Sequence, residues 1–198
     1  IKNKYEKILE TTNDGFLILD YQGNFLKVNE SLLEMVGYSR KELLNMNVSD
    51  IDIEETEEET RNHLKNIMNK GSDYFETTLK SKNGNNIYVE VSTTYIDEME
   101  NPIFNAFVRD ITVRKKEEEK IKYLSFHDQL TGLYNRRYFE DTIARLERSR
   151  KLPVGVITAD IDNLKQINDL YGHSIGDEYI KETAKVINSL VREGDIVS

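Results

Sequence analysis

Apolar and polar residues alternate along the first half of the chain in short runs that are typical of β-strands. The segments 16–20 and 24–29 flank a Tyr-Gln-Gly turn, and this arrangement predicts a hairpin. Three further strand-like segments, 74–80, 87–95 and 103–109, are separated by loop-forming sequence. Because these segments keep one side more polar, we expect a single antiparallel sheet with one covered face.

Helix signals lie between the hairpin and the later strands. Asn29 is placed to cap the segment ESLLEMVG, and Ser39 with Glu42 has the spacing of a capping box. The acidic run 52–59 is expected at a solvated turn and helix start, since carboxylates favour a helix N-terminus. No chemistry is assigned to that run. The elements together predict an α+β domain.

A highly charged segment, VRKKEEEKIKYL, follows the last predicted strand. Its acids and bases have helical pairing distances, so it predicts a helix. Because apolar residues are few, such a helix would be marginal alone and needs a coiled-coil partner or tertiary docking. Two interpretations stay open: the helix transmits rotation or a change of register, or it is a passive spacer.

The remaining sequence predicts a helix with one apolar face, then a strand and two more helices. The apolar run 154–162 is typical of a buried strand that places Asp160 at the carboxyl end of a sheet. The segment 163–169 predicts a short helix, and a long amphipathic helix is predicted after His173. Two interpretations of the carboxylates are open: Asp162 caps the short helix, or Asp160 holds Mg²⁺ for a nucleotide.

Charge and composition narrow the function classes. The chain has 198 residues and a net charge of −9, all of it contributed by residues 1–113, while residues 114–198 are neutral. A net acidic chain repels phosphate backbones, so binding to nucleic-acid polymers is disfavoured. The absence of Cys excludes disulfides, thiolate metal sites and cysteine nucleophiles. The change in charge near residue 113 favours two domains.

No apolar run is long enough to cross a bilayer, so we expect no membrane segment in this chain. A cytoplasmic location is the default expectation. The first residue is Ile1 rather than Met, which suggests a piece of a longer protein whose upstream part could carry a membrane anchor.

Residues 14–46, DGFLILDYQGNFLKVNESLLEMVGYSRKELLNM, with the strand block and the closing Asp110-Ile111-Thr112, resemble a PAS sensor domain. The resemblance covers roughly 100 residues and implies a five-stranded antiparallel sheet that holds a ligand, dimerises, or both. The PAS ligand is unknown. Without Cys, the flavin–cysteinyl adduct of light-sensing relatives is excluded. His63 lies near the haem-ligand position of some relatives, but it is interpreted as an ordinary helix-surface residue.

The motifs HDQLTGLYNRR, DIDNLKQINDLYGHSIGD and VREGD, in this order, resemble the N-terminal part of a GGDEF domain over about 74 residues. This family condenses two GTP into cyclic di-GMP, on an α/β fold like that of nucleotidyl cyclases. The resemblances imply a PAS sensor domain over 1–113, a helical signalling linker over 114–124 and a truncated GGDEF domain over 125–198.

The GGDEF resemblance also implies roles for individual residues. Spacing alone would class Asn168 and Asp177 as structural helix-end residues. By resemblance, Mg²⁺, GTP and the product cyclic di-GMP would contact eight positions. These are Asp160 through its carboxylate and Ile161 through its carbonyl for Mg²⁺, Lys165 for the phosphates, Asn168 and Asp177 for the guanine edge, His173 for the nucleotide, and Arg192 and Asp195 for product inhibition.

The sequence departs from the family pattern in two places. Leu164 stands where many relatives have Phe, which keeps the position apolar. The signature Gly-Gly-Asp/Glu-Glu-Phe should follow Asp195 within a few residues, but it does not occur before Ser198. No catalytic residue is therefore assigned within the chain. These 198 residues by themselves are expected to be inactive.

The function implied for the parent protein is a PAS-regulated diguanylate cyclase that works as a homodimer, with two GTP sites facing each other. Two alternatives remain. The GGDEF part could be a degenerate sensor of GTP or cyclic di-GMP, or the chain could be only a PAS ligand-sensing and dimerisation module.

Overall fold

The computed structural model describes residues 9–97, 102–149, 153–192 and 194–198. The chain divides into two compact units, with the division between Lys116 and Glu117. The domain boundaries at 113 and 124 stay predictions. In the part of the chain described here, no helix is both long and apolar enough to cross a membrane.

The first unit contains one five-stranded sheet in which all neighbouring strands are antiparallel. The strand order across the sheet is β2-β1-β5-β4-β3, so the N-terminal hairpin and the later meander join through β1 and β5. The strands are β1 (Gly15–Asp20), β2 (Phe25–Val28), β3 (Ser72–Lys80), β4 (Asn86–Ile96) and β5 (Ile103–Asp110). The predicted hairpin and the three later strands are confirmed.

The turn between β1 and β2 is fixed by one side chain and one glycine. Asp20 Oδ1 accepts hydrogen bonds from the backbone N–H of Gln22 at 2.8 Å and of Asn24 at 2.9 Å. Gly23 has φ of 88°, a left-handed conformation that costs glycine little because it lacks Cβ. The turn therefore follows directly from local sequence.

Three helices of the first unit follow the hairpin, α1 (Glu30–Val36), α2 (Arg40–Leu43) and α3 (Glu57–Lys70). Their starts are set by side-chain caps. Asn29 caps α1, and a capping box of Ser39 and Glu42 begins α2, as predicted. Thr56 and Glu59 form a further capping box at α3, whose first turn is acidic.

The core of the first unit lies between the sheet and these helices. Its apolar side chains come from β1, β2, β3, β4 and β5 and from the covering helices, which is the arrangement expected for a sheet with one covered face. The most deeply buried are Phe104, Leu32, Leu43, Ile51, Ile67, Val28, Val36, Val89 and Val108.

A helix, α4 (Thr112–Phe126), confirms the helical prediction for the charged segment. Asp110 Oδ1 accepts a hydrogen bond from the Thr112 N–H at 2.7 Å, which turns the chain from β5 into the helix. Arg114 pairs with Glu76 of β3 at 2.7 Å and with Glu90 of β4 at 3.4 Å. The first turn of α4 is thereby tied to two strands of the sheet.

The second unit contains α5 (Arg136–Ser149), α6 (Leu164–Tyr171) and α7 (His173–Leu190). Apart from an isolated bridge between His127 and Tyr134, its described residues contain no strand pairing. The predicted buried strand at 154–162 is therefore wrong for this structure: Ile157 is 95% exposed. The physical reason is that a strand needs a neighbour for its N–H and C=O groups, and no described segment of this unit supplies one.

Four aromatic rings stack where α4 ends and α5 begins. The ring centroids of Tyr123 and His127 are 4.1 Å apart, those of His127 and Tyr134 are 4.6 Å apart, and those of Tyr134 and Tyr138 are 4.0 Å apart. We call this set the ring stack. It joins the end of one helix to the first turn of the next through contacts within the second unit.

Candidate functional site

The helices α6 and α7 meet at a single residue, Gly172. Its φ of 84° and ψ of 161° suit glycine, and they end one helix and start the next without a loop. The Gly172 N–H donates to the Asn168 carbonyl at 2.9 Å, and its carbonyl accepts from the Gly176 N–H at 3.3 Å. We call this connection the α6–α7 junction. It joins the two helices with only Gly172 between them.

The predicted guanine-binding residues lie at this junction. Asn168 is half-buried, and its side chain lies against Gly176, so that a Cβ built on Gly176 would be 1.9 Å from Asn168 Oδ1. Asp177 follows Gly176 directly and is exposed, as is His173 at the start of α7. The structure thus brings Asn168 to the turn of α7 that carries Asp177, while Lys165 is exposed in the first turn of α6.

The predicted metal-binding residues lie elsewhere in the second unit. Asp160 and Ile161 line a cavity of about 480 Å³, together with apolar residues of α7 such as Ile180 and Ala184. None of the four nucleotide-binding candidates contributes to its lining. That lining consists of Asp128, Thr131, Leu133, Tyr134, Asn135, Arg136, Ala159, Asp160, Ile161, Ile180, Thr183, Ala184, Ile187 and Ser198.

The donor chemistry at Asp160 and Ile161 fits magnesium. A carboxylate and a backbone carbonyl are hard oxygen donors, and Mg²⁺ commonly uses one or two carboxylates with water and substrate phosphates. The described residues contain no cluster of three or more His, Asp or Glu that could enclose a metal ion by itself. The residues therefore fit an ion that takes its remaining ligands from a bound phosphate.

The competing interpretation, in which Asp162 caps α6, is wrong. The cap position is occupied by Asn163, whose φ of 59° is left-handed and whose side chain makes no capping hydrogen bond. Asp162 stands one residue before the cap.

Asp128 was not singled out from the sequence, although it holds the edge of the cavity. Its Oδ1 accepts hydrogen bonds from the Thr131 N–H and hydroxyl, both at 2.9 Å, and from the Leu130 N–H at 3.1 Å. The Thr131 bonds lower the pKa of Asp128 below its ordinary value. An Asp three residues before a Thr-Gly turn is the local signal that could have identified it.

Arg192 and Asp195 face each other across a tight turn. The Arg192 N–H donates to Asp195 Oδ2 at 3.0 Å, and the Asp195 N–H donates to the Arg192 carbonyl at 3.0 Å. Both residues are exposed. Their role in product binding stays a prediction.

The first unit contains a much smaller cavity, of about 60 Å³, inside its core. Ligand pockets usually have volumes of about 300–1,000 Å³, so this cavity has room for a few water molecules rather than a large cofactor. Five of its lining residues are polar, and the others are apolar. The five are Asp52, Glu55, Thr60, His63 and Thr93.

His63 is partly buried and bonded on both ring nitrogens, so its interpretation as an ordinary surface histidine of a helix is wrong. Nδ1 lies 2.7 Å from Glu55 Oε1 and Nε2 lies 3.0 Å from Asp73 Oδ2, while the ring packs on Phe75 at a centroid distance of 4.5 Å. The bond to His63 lowers the pKa of Asp73.

Asp52 is another titratable residue that lines this cavity. Burial raises its pKa above the ordinary value, although the Glu54 N–H donates to Oδ1 at 2.8 Å and the Thr77 hydroxyl bonds to the carboxylate at 2.9 Å. Thr60 Oγ1 is buried and has no hydrogen-bond partner among the described residues. Part of the acidic run to which no chemistry was assigned therefore lines the cavity.

Comparison with known proteins assigns families to both units. The family model for the PAS domain matches residues 13–113, and the model described as diguanylate cyclase, GGDEF domain, matches residues 125–198. The chain belongs to the PAS family and continues into a GGDEF domain. The PAS domain of an HTR-like protein from Haloarcula marismortui is 24% identical, with a TM-score of 0.53 over 56% of this chain and 91% of that one. This likeness confirms the PAS fold.

Two curated relatives align with nearly all of this PAS-GGDEF chain. Diguanylate cyclase DgcM of Escherichia coli K12 is 27% identical over 199 residues, covering 98% of this chain and 48% of the relative. Cyclic di-GMP phosphodiesterase PdeR of the same organism is 23% identical over 198 residues, covering 98% of this chain and 30% of the relative. The chain thus spans about half or less of the length of these relatives.

Proposed function

We propose that this PAS-GGDEF chain belongs to a PAS-regulated diguanylate cyclase, which converts two GTP into cyclic di-GMP and two pyrophosphates. The observation that carries the proposal is the α6–α7 junction. There the half-buried amide of Asn168 lies against the turn of α7 that presents the exposed carboxylate of Asp177. An amide and a carboxylate presented from one helix junction are suited to the polar edge of a nucleobase.

The two side chains would divide the recognition of guanine between them. The Asp177 carboxylate accepts from the N1–H and N2–H groups, which adenine does not present in the same arrangement, and the Asn168 amide complements the remaining edge. His173 would contact the nucleotide at the start of α7, and Lys165 would approach the phosphates.

Asp160 and Ile161 would hold Mg²⁺ through carboxylate and carbonyl oxygens, and the bound ion would offset the negative charge of the phosphates. In the reaction the 3′-hydroxyl of each GTP would attack the α-phosphorus of the other and lose its proton to water. Each attack forms one phosphodiester bond and breaks the bond from that α-phosphorus to the oxygen bridging to the β-phosphorus, so two pyrophosphates leave.

The reaction needs two GTP molecules face to face, so we propose a homodimer in which each subunit presents one nucleotide. The ion pairs of Arg114 with Glu76 and Glu90 support a regulatory role for α4, because they link the PAS sheet to the start of that helix. A change in the PAS domain would alter how often the two sites meet.

A second candidate is a GGDEF domain that binds GTP or cyclic di-GMP without cyclising it. The similarity to PdeR supports this alternative, since that relative aligns over the same residues and is named a phosphodiesterase.

The Gly-Gly-Asp/Glu-Glu-Phe signature is absent from the 198 residues, so we propose that they do not cyclise GTP by themselves.

The test uses the full-length protein with GTP and Mg²⁺ and measures cyclic di-GMP by chromatography. Asp160→Ala is expected to reduce turnover at least about a hundredfold, while the PAS domain stays folded. Glu182→Ala is the matched control. This carboxylate is exposed on α7, and among the described residues its ion pair is with the exposed Lys185. Undiminished turnover in Asp160→Ala would refute its role, and binding without product would favour the sensor.

A further inference from the structure

Gly176 is buried in a helix that is otherwise mostly exposed. It lies in the first turn of α7, and Ala184, further along the same helix, is the other buried residue among those described. A Cβ at this position would lie 1.9 Å from Asn168 Oδ1, 2.9 Å from its Cγ and 3.4 Å from its Nδ2. The three nearest atoms all belong to one side chain, which occupies the space that any other residue would fill.

Backbone conformation does not explain this glycine. Gly172 has positive φ, but Gly176 does not, and its helical conformation is open to every residue. Glycine is one of the poorest helix formers, so alanine would be favoured here on propensity alone. The contact with Asn168 is the feature that accounts for a glycine at this position.

We propose that Gly176 is a positioning residue for guanine recognition. By leaving room for the Asn168 amide against α7, it holds that amide beside Asp177 in the orientation that reads the base edge. This inference rests on the proposed function, in which Asn168 contacts guanine. It assigns a role in guanine selectivity to Gly176, which has no side chain that could contact the nucleotide.

The kind of clash determines what a substitution does. The overlapping atoms are the end of a flexible side chain rather than backbone, so Gly176→Ala displaces the Asn168 amide and leaves the helix intact. Binding should therefore suffer more than folding. A purely structural role for Gly176 would produce the opposite pattern.

The experiment measures binding of 3′-deoxy-GTP and 3′-deoxy-ATP to the full-length protein with Mg²⁺ by calorimetry, since neither analogue can form the new phosphodiester bond. Gly176→Ala is expected to weaken 3′-deoxy-GTP binding about tenfold, the worth of one well-placed hydrogen bond. The ratio of guanine to adenine affinity should fall with it. Gly155→Ala is the matched control, because nothing lies within 4 Å of a Cβ there, and it should leave both affinities unchanged.

A double-mutant cycle with Asn168→Ala tests whether Gly176 acts through that side chain. The double variant should bind 3′-deoxy-GTP as weakly as Asn168→Ala alone. Its melting temperature should equal or exceed that of Asn168→Ala, because the clash is gone and alanine favours the helix. A further loss of affinity in the double variant would overturn the proposal, and this comparison holds even if Gly176→Ala alone is poorly folded.

The cycle also separates two kinds of failure. If Asn168→Ala binds 3′-deoxy-GTP like the unchanged protein, the proposed contact between Asn168 and guanine is wrong, and the role of Gly176 falls with it. If Asn168→Ala binds weakly but Gly176→Ala binds normally, only the positioning role is overturned.

Discussion

The two units of this chain differ in how many of their apolar residues are buried. The PAS unit buries a continuous cluster that extends from Leu17 to Val108, whereas the described residues of the GGDEF unit bury only Thr142, Gly176 and Ala184. Both contain amphipathic helices. The difference is that the PAS helices lie over a sheet whose strands are all paired, while the apolar run of the second unit has no partner strand among the described residues.

The polar side chains of the two units also differ, because some are paired with one another and others are exposed. In the PAS unit, Glu55 and Asp73 each bond to one ring nitrogen of His63, and His63 lines a cavity of about 60 Å³. In the GGDEF unit, Asp160 lines a cavity of about 480 Å³, and Asp177 is exposed. Internally paired groups stabilise a fold and respond to its distortion. Exposed groups are the ones a nucleotide can reach.

The largest expected effect tests the apolar contrast. Phe104 is fully buried in the PAS core, so Phe104→Ala should lower the free energy of unfolding by about 3–5 kcal/mol through lost burial and a cavity. Ile157→Ala is the matched change at a 95% exposed position and should stay within about 0.5 kcal/mol. Urea unfolding measures both, and an equal loss from Ile157→Ala would mean that this side chain is covered in solution.

A smaller effect is expected at His63. Replacing it with Ala leaves Glu55 and Asp73 without their shared hydrogen-bond partner and should destabilise the PAS unit by about 1–3 kcal/mol. Arg61→Ala is the control on the same helix, where an exposed ion pair to Glu57 is worth about 0.3–0.5 kcal/mol. Equal effects of the two variants in thermal unfolding would show that His63 contributes no more than a surface pair.

The smallest effect concerns pH and Asp52. Burial raises the pKa of Asp52 above its ordinary 3.8, so the folded state binds its proton more tightly than the unfolded state does. Its contribution to stability is full at acidic pH and is lost as pH rises through the folded pKa. Asp52→Asn does not titrate, so its stability relative to the unchanged protein should increase from acidic to neutral pH.

Urea unfolding of both proteins across that range provides the measurement. A difference that stays constant with pH, or shrinks towards neutrality, would contradict the raised pKa. Because several other carboxylates also titrate there, only the difference between the two proteins is informative.

Much of the PAS fold could be predicted because its signals are local. The Asp20 turn, the Asn29 cap and the Ser39–Glu42 capping box each depend on residues within a few positions of one another. The contact of His63 with Asp73 depends on where α3 packs against β3, which no local pattern encodes. The acidic run was therefore interpreted as solvated, although Asp52 points into the core cavity.

In the GGDEF unit the predicted helices form but the predicted strand does not, and the roles of the motif residues stay predictions. The motif placed Asn168 and Asp177 as a pair, and the structure brings their helices together at Gly172. The predicted strand before Asp160 was wrong because strand formation depends on a neighbour that a segment's own sequence does not supply. The packing of Asn168 on Gly176 is likewise a relation between two helices, visible only once both are placed.

The ring stack gives the molecule an optical property. The chain has 11 Tyr and no Trp, so tyrosine dominates its near-ultraviolet absorption. The ring centroids of Tyr134 and Tyr138 lie 4.0 Å apart, and aromatic rings held in fixed tertiary packing give near-ultraviolet circular dichroism that is lost when the packing loosens. Loosening of the segment between α4 and α5 would reduce that signal. The protein therefore carries a label-free optical signal to which the segment between α4 and α5 contributes.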